Sequence, residues 1–505
     1  MRASTNPRTS ILLHGGGAMR IRYLALALAA LAVSACNLPN EPNLNNPNVG
    51  DFSVITSPAQ LQAVATGVLR ADRVQNEQEI EEGETIGRDG ERITPSEPRF
   101  ISNLLGGTAS APGPALGSGI DPSNFLGGRL WPYAGIRLAN IGIHAVAAAD
   151  PVVVPELNAA GKAGTTGYLQ TLKALAHLRA IETRDTAGAP IAVDIDPTAP
   201  PAPLRCKNDV LAFIAALLDT AATNLAAGGS SFPFTLPADF FGFDTPAGFR
   251  QFNRALAAKV DVYLAFRDYF NPITNLVDRT KIDVAALDSA DADLAASFMA
   301  ADPSRFDLGP AHDYQTATGD LTNGLFEDTS STNYRANVRV VNEADPGDQR
   351  VARKIATSSL ISLRGVASQY IYLVYFRPTT PIKIITNKEL LLLQAEVSWG
   401  RGNYATALTQ AQFIRTNDGG LTTDTTTATE AGVLNRILYE KRYSLLWQSA
   451  SRWIDTRMFG KLNGFDPPVG VGQERGRNPL FGFPIPFNEA VARNNDLTRQ
   501  ACALP

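Results

Sequence analysis

Side chains able to form covalent bonds or hold metals are scarce in this 505-residue chain: three cysteines, Cys36, Cys206 and Cys502, and four histidines, at positions 14, 144, 177 and 312. A thiolate is a nucleophile and a soft metal ligand. The three cysteines are too few and too far apart for a zinc knuckle or a disulfide-rich scaffold. Two chemistries remain. Cys36 follows the small residues Ser34 and Ala35 and could be acylated, and Cys206 could pair with Cys502 in an oxidising compartment. Two unpaired thiols are the alternative to that bridge, because spacing in sequence does not show proximity. The histidines stand in stretches with no catalytic or ligand spacing, and His14 lies in or before a removable leader. The chain has no His-Glu-x-x-His zinc motif, no Gly-x-Ser-x-Gly elbow and no Gly-x-x-x-x-Gly-Lys-Ser/Thr phosphate loop. Its 49 acidic residues leave a carboxylate pair of the glycosidase kind open, which would need the two groups about 5 to 9.5 Å apart across a cleft. No catalytic residue, metal site or cofactor other than a covalent lipid on Cys36 is assigned.

Around Cys36 the layout is that of an export signal. Met19-Arg20-Ile21-Arg22 precedes an apolar run from Tyr23 to Val33, then Ser34-Ala35-Cys36. That run is about half of the roughly 20 residues a membrane-spanning helix needs, so cleavage is expected. Val33-Ser34-Ala35-Cys36 resembles a bacterial lipobox, in which the cysteine becomes the lipidated first residue, with acyl chains such as palmitate. The plain alternative is an ordinary signal with Cys36 incidental. Residues 1–18 read as an extension ahead of a true start at Met19, and 19–35 as the lipoprotein signal. Residues 36–56, rich in Asn and Pro, read as a tether, and 57–505 as a single body. Acyl chains anchor at about 0.8 kcal/mol per buried methylene, so several hold a protein firmly to a membrane.

The body's composition, 44% hydrophobic and 19% charged, is that of an ordinary globular protein, and its net charge of −4 supplies no field for nucleic acid. Helical spacing dominates. Leu61, Val64, Ala65, Val68 and Leu69 follow Ser57-Pro58, a helix start. Further helices are expected at Leu130–Ala149, from about Thr165 to Arg184, and over 208–227, 249–269, 388–401, 404–417 and 430–458. Gly402-Asn403 makes a turn between two of them, a tetratricopeptide-like helix pair. Residues 77–128, acidic and then Gly/Pro-rich, read as a surface excursion, with Glu77, Glu79, Glu81, Glu82 and Glu84 on a solvated face. Val338-Arg339-Val340-Val341 and Tyr370 to Phe376 read as a small β-containing insertion. Asp288, Asp291 and Asp293 read as helix-start residues. The fold class is therefore mainly α: helix pairs in an α-α superhelix with irregular loops.

The C-terminal third carries a more specific signal. Asn387-Lys388-Glu389 with Leu390 to Leu393, Ala395-Glu396, Gly402-Asn403, Ile414-Arg415 and Gly419-Gly420-Leu421 follow one another in order. Glu440-Lys441-Arg442, Arg452-Trp453-Ile454-Asp455-Thr456-Arg457, and Pro484-Ile485-Pro486 with Glu489 and Asn494-Asn495 come next. Weaker blocks upstream are Trp131-Pro132-Tyr133, Leu178-Arg179-Ala180 and Ala255 to Lys259. The ordered set resembles the SusD/RagB family. It departs from the family pattern at Lys441, a common Arg position, and at Gln448-Ser449-Ala450. Glu440, Arg442, Arg452, Asp455 and Arg457 can pair along and between helices, and a buried ion-pair network is the preferred reading over a ligand site.

The resemblance implies a non-enzymatic, surface-exposed lipoprotein of the outer membrane. It would bind a nutrient, a glycan or a peptide, and deliver it to a SusC/RagA-like TonB-dependent transporter. An envelope scaffold and a surface glycan hydrolase are the other readings. For the ligand, flat aromatic faces beside polar groups are sought. The candidates are Phe240 and Phe241, in a loop with Phe232, Phe234 and Phe243, and Tyr370 and Tyr372; core packing is the competing reading for all of them.

Overall fold

In the computed structural model we describe residues 53–97, 99–104, 130–196, 198–327, 334–363, 366–462 and 481–497. The chain divides into two units, Met1–Asp51 and Phe52–Pro505, and the described residues belong to the second. The leader, Cys36, the Gly/Pro run at 106–114 and Cys502 lie outside them. Among the described residues are thirteen α-helices and ten short strands, the strands joined only in antiparallel pairs.

Helix α1, Pro58–Ile86, starts as its sequence foretells: the Ser57 side chain accepts a hydrogen bond from the Gln60 amide, and Pro58 occupies the first turn. It runs far beyond Leu69, through the acidic stretch. Glu79, Glu81, Glu82 and Glu84 are buried rather than solvated, which corrects the expected surface excursion. Their cationic and amide partners come from distant sequence. Glu79 pairs with Arg179, Arg92 reaches Glu81 at 2.5 Å, and Glu84 accepts the Trp447 amide at 3.1 Å. A helix face that looks soluble by composition is thus internal by pairing.

Helices α2 (Tyr133–Ala148), α3 (Ala159–Arg184), α4 (Lys207–Ala226), α5 (Pro246–Phe266) and α6 (Val284–Ala296) each pack on the preceding one in turn. Helix α3 begins earlier than its apolar spacing indicates because Asn158 caps it, its Oδ1 accepting from the amides of Ala160 and Gly161. Helix α4 is apolar and long enough to cross a membrane by composition, but it lies between α3 and α5 with Val210, Leu211, Ile214, Leu218 and Leu225 buried. Asp288, Asp291 and Asp293 do not start α6, which Asp283 caps. The first two pair with Arg401 and the third with Arg254.

Val338 to Val341 forms not a strand but a short helix, α7 (Val338–Asn342). The Asn337 side chain accepts from the Arg339 amide, and only Val340 is buried; a local cap outweighs the β-branched composition. After α8 (Gln349–Lys354), the expected β element is present as an antiparallel pair, Ile355–Leu363 with Val366–Tyr372, registered Ile355 to Tyr372.

Helices α9 (Asn387–Gly400) and α10 (Tyr404–Asn417) form the foreseen pair, turned at Gly402, whose φ of 79° favours glycine. The expected helix over 430–458 is two, α11 (Glu430–Ser444) and α12 (Ser451–Met458), with α13 (Phe487–Ala492) after them. The break falls where Trp447 adopts φ 58°. The Lys354 ammonium donates there to the carbonyls of Tyr443 and Ser444 at 3.0 and 2.6 Å, meeting the negative end of α11. One apolar core joins residues of α1 to α6 with those of α9 to α12.

Candidate ligand cleft

Helix α1 changes character halfway along. Its first turns bury Leu61, Val64, Ala65, Val68 and Leu69; its next bury Asp72, Arg73, Asn76 and Glu79. The Arg179 guanidinium of α3 meets both oxygens of Asp72, Nε at 2.7 Å and Nη2 at 3.1 Å, and also binds Glu79. His312 Nε2 lies 2.8 Å from Asp72. Burial alone would raise the Asp72 pKa, but Arg179 and His312 outweigh it and hold the carboxyl well below the carboxylate range. Burial, with Arg179 and Arg73, pushes His312 down against the pull of Asp72. Behind this group Glu182 binds Lys259 at 3.0 Å and the Tyr263 hydroxyl at 2.9 Å, and Lys259 also reaches Glu389 at 3.3 Å. Burial and the adjacent Glu182 charge push Glu79 up to about 8, so the Glu79–Glu182 pair holds a proton at neutral pH.

This buried network fixes one wall of a surface cleft of about 440 Å³. Its lining includes Thr66, Arg70 and Arg73 from α1, Pro237, and His312, Asp313, Thr318 and Asp320. Arg73 is buried; it donates to the Asp313 carbonyl at 2.9 Å, pairs with Asp320 at 2.5 Å and lies over the Tyr314 ring. The hydrogen bond from Arg73, against slight burial, lowers the Asp320 carboxyl. Arg70 donates to the Gly319 carbonyl at 3.5 Å, its charge helps to lower the Asp320 carboxyl, and no carboxylate among the described residues forms a salt bridge with it. Phe241, 84% exposed, follows shortly after Pro237. Hydroxyl, guanidinium and carboxylate groups lining one cleft can bind a neutral polyol, whose hydroxyls both donate and accept; Phe241 is not part of that lining.

Phe240 is fully buried and stacks on Phe249, so it is core. Phe232 and Phe234 pack on Tyr168, and Phe243 on Phe298. Tyr372 is buried in parallel stacking with Trp447 at 4.3 Å, its hydroxyl donating to the Asp89 carbonyl. Tyr370 is half-buried. Phe240 and Tyr372 therefore present no face to a ligand, and of the four aromatic candidates Phe241 alone is fully open. His177 is enclosed by Tyr133 and Phe213 and pushed down to about 3, chiefly by burial; His144 is exposed against Asp194. Cys206 precedes α4 and is disulfide-bonded; the other two cysteines, Cys36 and Cys502, lie outside the described residues.

The charged C-terminal residues form the ion-pair network expected of them. Glu440 binds Arg350 at 2.6 Å, Arg442 binds Asp89 at 2.6 Å, and Arg457 binds Asp185 at 3.1 Å. Lys441, standing where arginine is common, reaches Glu396 and Asp455, each at 2.8 Å. A second open cleft, about 520 Å³, is lined by Asp424, Thr425 to Thr427, Asn435, Arg436 and Tyr439. Its Arg436 is already paired with Asp345, Asp424 and Glu440, and its Tyr439 hydroxyl is bound to Asp348. Among the described residues no group of three or more His, Cys, Asp or Glu side chains could hold a metal.

No protein-family model matches the sequence, and no curated protein matches it. Solved structures do match. A SusD superfamily protein from Parabacteroides distasonis superposes with a TM-score of 0.62 at 13% identity, over 87% of this chain and 98% of its own. A structure solved with xylogluco-oligosaccharide gives 0.60 at 15%, over 86% and 97%. Surface glycan-binding protein A from Bacteroides thetaiotaomicron gives 0.59 at 13%, over 88% and 98%. The chain has the SusD fold across most of its length.

Proposed function

We propose that this chain is a SusD/RagB-type protein, lipid-anchored through Cys36 at the outer-membrane surface. In this reading it binds a glycan in the cleft beside Arg70 and Phe241 and passes it to a TonB-dependent transporter, without catalysing a reaction. The observation that carries the proposal is the near-full-length SusD fold, shared with a surface glycan-binding protein and with a structure solved with an oligosaccharide. The cleft supports it with polar groups suited to sugar hydroxyls, and Phe241, exposed in the segment that follows Pro237, offers a ring for an apolar sugar face. The leader and Val33-Ser34-Ala35-Cys36 support the anchor. Purification of the lipidated, tagged protein from detergent-solubilised outer membranes tests the delivery role. Recovery of a large β-barrel with a plug domain supports it; repeated mild extraction without a barrel, or fractionation with the inner membrane, contradicts it.

A further inference from the structure

The described chain enters the body beside an apolar turn. The Ile55 amide donates to the Ala145 carbonyl at 3.4 Å, placing the entering strand of chain against the end of α2. Directly after α2 the backbone folds on itself. The amides of Val153 and Val154 donate to the Asp150 carbonyl at 3.0 and 2.9 Å, and that of Val152 to the Asp150 carboxylate at 2.8 Å. Pro151 and Pro155 restrict the turn further. Val154 points inward, in one cluster with Ile55, Ala145, Ala149 and Leu157. Val152 and Val153 point outward, 87% and 56% exposed, and Val152 is the most exposed large apolar side chain among the described residues. The nearby Lys162 ammonium is bound to the carbonyls of Ala147 and Ala149 at 3.0 and 2.6 Å.

A rigid turn that holds two valines in water gains by covering them. What lies within reach is set by the chain that enters here. Between Cys36 and Ser53 the sequence has too few residues to span more than about 60 Å fully extended. We propose that the Val152–Val153 turn rests on the bilayer to which Cys36 is anchored and sets the face that the body turns to the membrane. The contact is apolar, since Asp150 and Glu156 flank the turn and Lys162 is engaged, so added salt leaves it in place. This inference rests on lipidation of Cys36.

The test uses the full lipidated chain on vesicles of phosphatidylethanolamine and phosphatidylglycerol, with and without brominated acyl chains. Tryptophan is placed singly by Val152→Trp or, as an exposed apolar control in a different turn, by Leu276→Trp, 67% exposed. After subtraction of the parent's own tryptophans, quenching of Trp fluorescence by brominated lipid is expected to be roughly twofold or more greater for Val152→Trp, and unchanged by salt. If the protein floats with the vesicles and the two variants are quenched alike, the inference is overturned while the anchor stands. If it fails to float, the anchor reading falls and the inference with it. Quenching at position 152 only when a barrel protein is added back overturns the lipid surface in favour of a protein partner.

Discussion

Replacing Arg179 by methionine removes the one guanidinium that binds both Asp72 and Glu79 and leaves a hydrophobic side chain of similar length. All three residues are at most 5% exposed, so water cannot replace the lost partner. Breaking a buried pair by removing one member costs about 3–5 kcal/mol, because the remaining charge is stranded. His312 Nε2, 2.8 Å from Asp72, then remains as a single hydrogen-bond partner in place of a two-pronged guanidinium. Arg179→Met is therefore expected to lower the unfolding free energy by about 3–5 kcal/mol in urea titrations followed by far-UV circular dichroism and tryptophan emission. Asp72→Asn in the same background removes the stranded Asp72 charge. The double variant should recover part of the loss, with a coupling energy of about 1–3 kcal/mol between the two sites. A single-variant cost below about 1 kcal/mol, or costs that simply add, would refute the view that this network is a mutually dependent unit.

The remaining expectations follow from the same contacts. Glu79 ordinarily titrates near 4.5 but is pushed up to about 8 by burial and by Glu182; folding raises its proton affinity, so its stabilising contribution is complete below about pH 4.5 and lost as pH rises through 8. Glu79→Gln should therefore gain on the parent steadily between pH 5 and 8 in denaturant midpoints; a constant difference would contradict the assignment. Gly90→Ala would put a Cβ 2.4 Å from the Trp447 ring, and the thermal midpoint should fall, by the equivalent of about 1–3 kcal/mol. Peptide mapping without reductant should recover Cys206 linked to Cys502; a Cys206 peptide not joined to Cys502 would dispose of that pairing.

Local signals were legible and long-range ones were not. Tyr404–Asn417 was readable to the residue because a glycine turn bounds one end and its apolar positions keep helical spacing. The charged block around Glu440 to Arg457 was readable as internal because so many opposite charges stand together on an otherwise apolar pair of helices, but its partners Arg350, Asp89 and Asp185 lie far off in sequence and were not. The glutamates of α1 misled, since Arg179 and Arg92 are not neighbours in the helical repeat. The 430–458 stretch also misled: nothing in its composition marks Trp447 as a left-handed residue, a conformation held by its stacking on Tyr372 and its close approach to Gly90. The cleft was missed entirely. Thr66, Arg70 and Arg73 show only as polar helix positions, and Asp313, Thr318 and Asp320 as a polar loop; their meeting is a product of tertiary packing. Arg70 and Arg73, three residues apart on one helix face, were the available clue. Of the aromatic candidates, alternation in the sequence could not separate exposed Phe241 from buried Phe240 and Tyr372.

Glycan binding in the cleft is measured by titration calorimetry of the mature chain against a panel of soluble oligosaccharides, run in parallel with Arg70→Ala and Phe241→Ala. Both side chains are exposed, so neither change should alter the thermal midpoint. At least one glycan is expected to bind the parent and to lose roughly tenfold or more in affinity in each variant, the equivalent of about 1.4 kcal/mol. Binding to no glycan in the panel, or binding that both variants retain in full, would contradict that expectation.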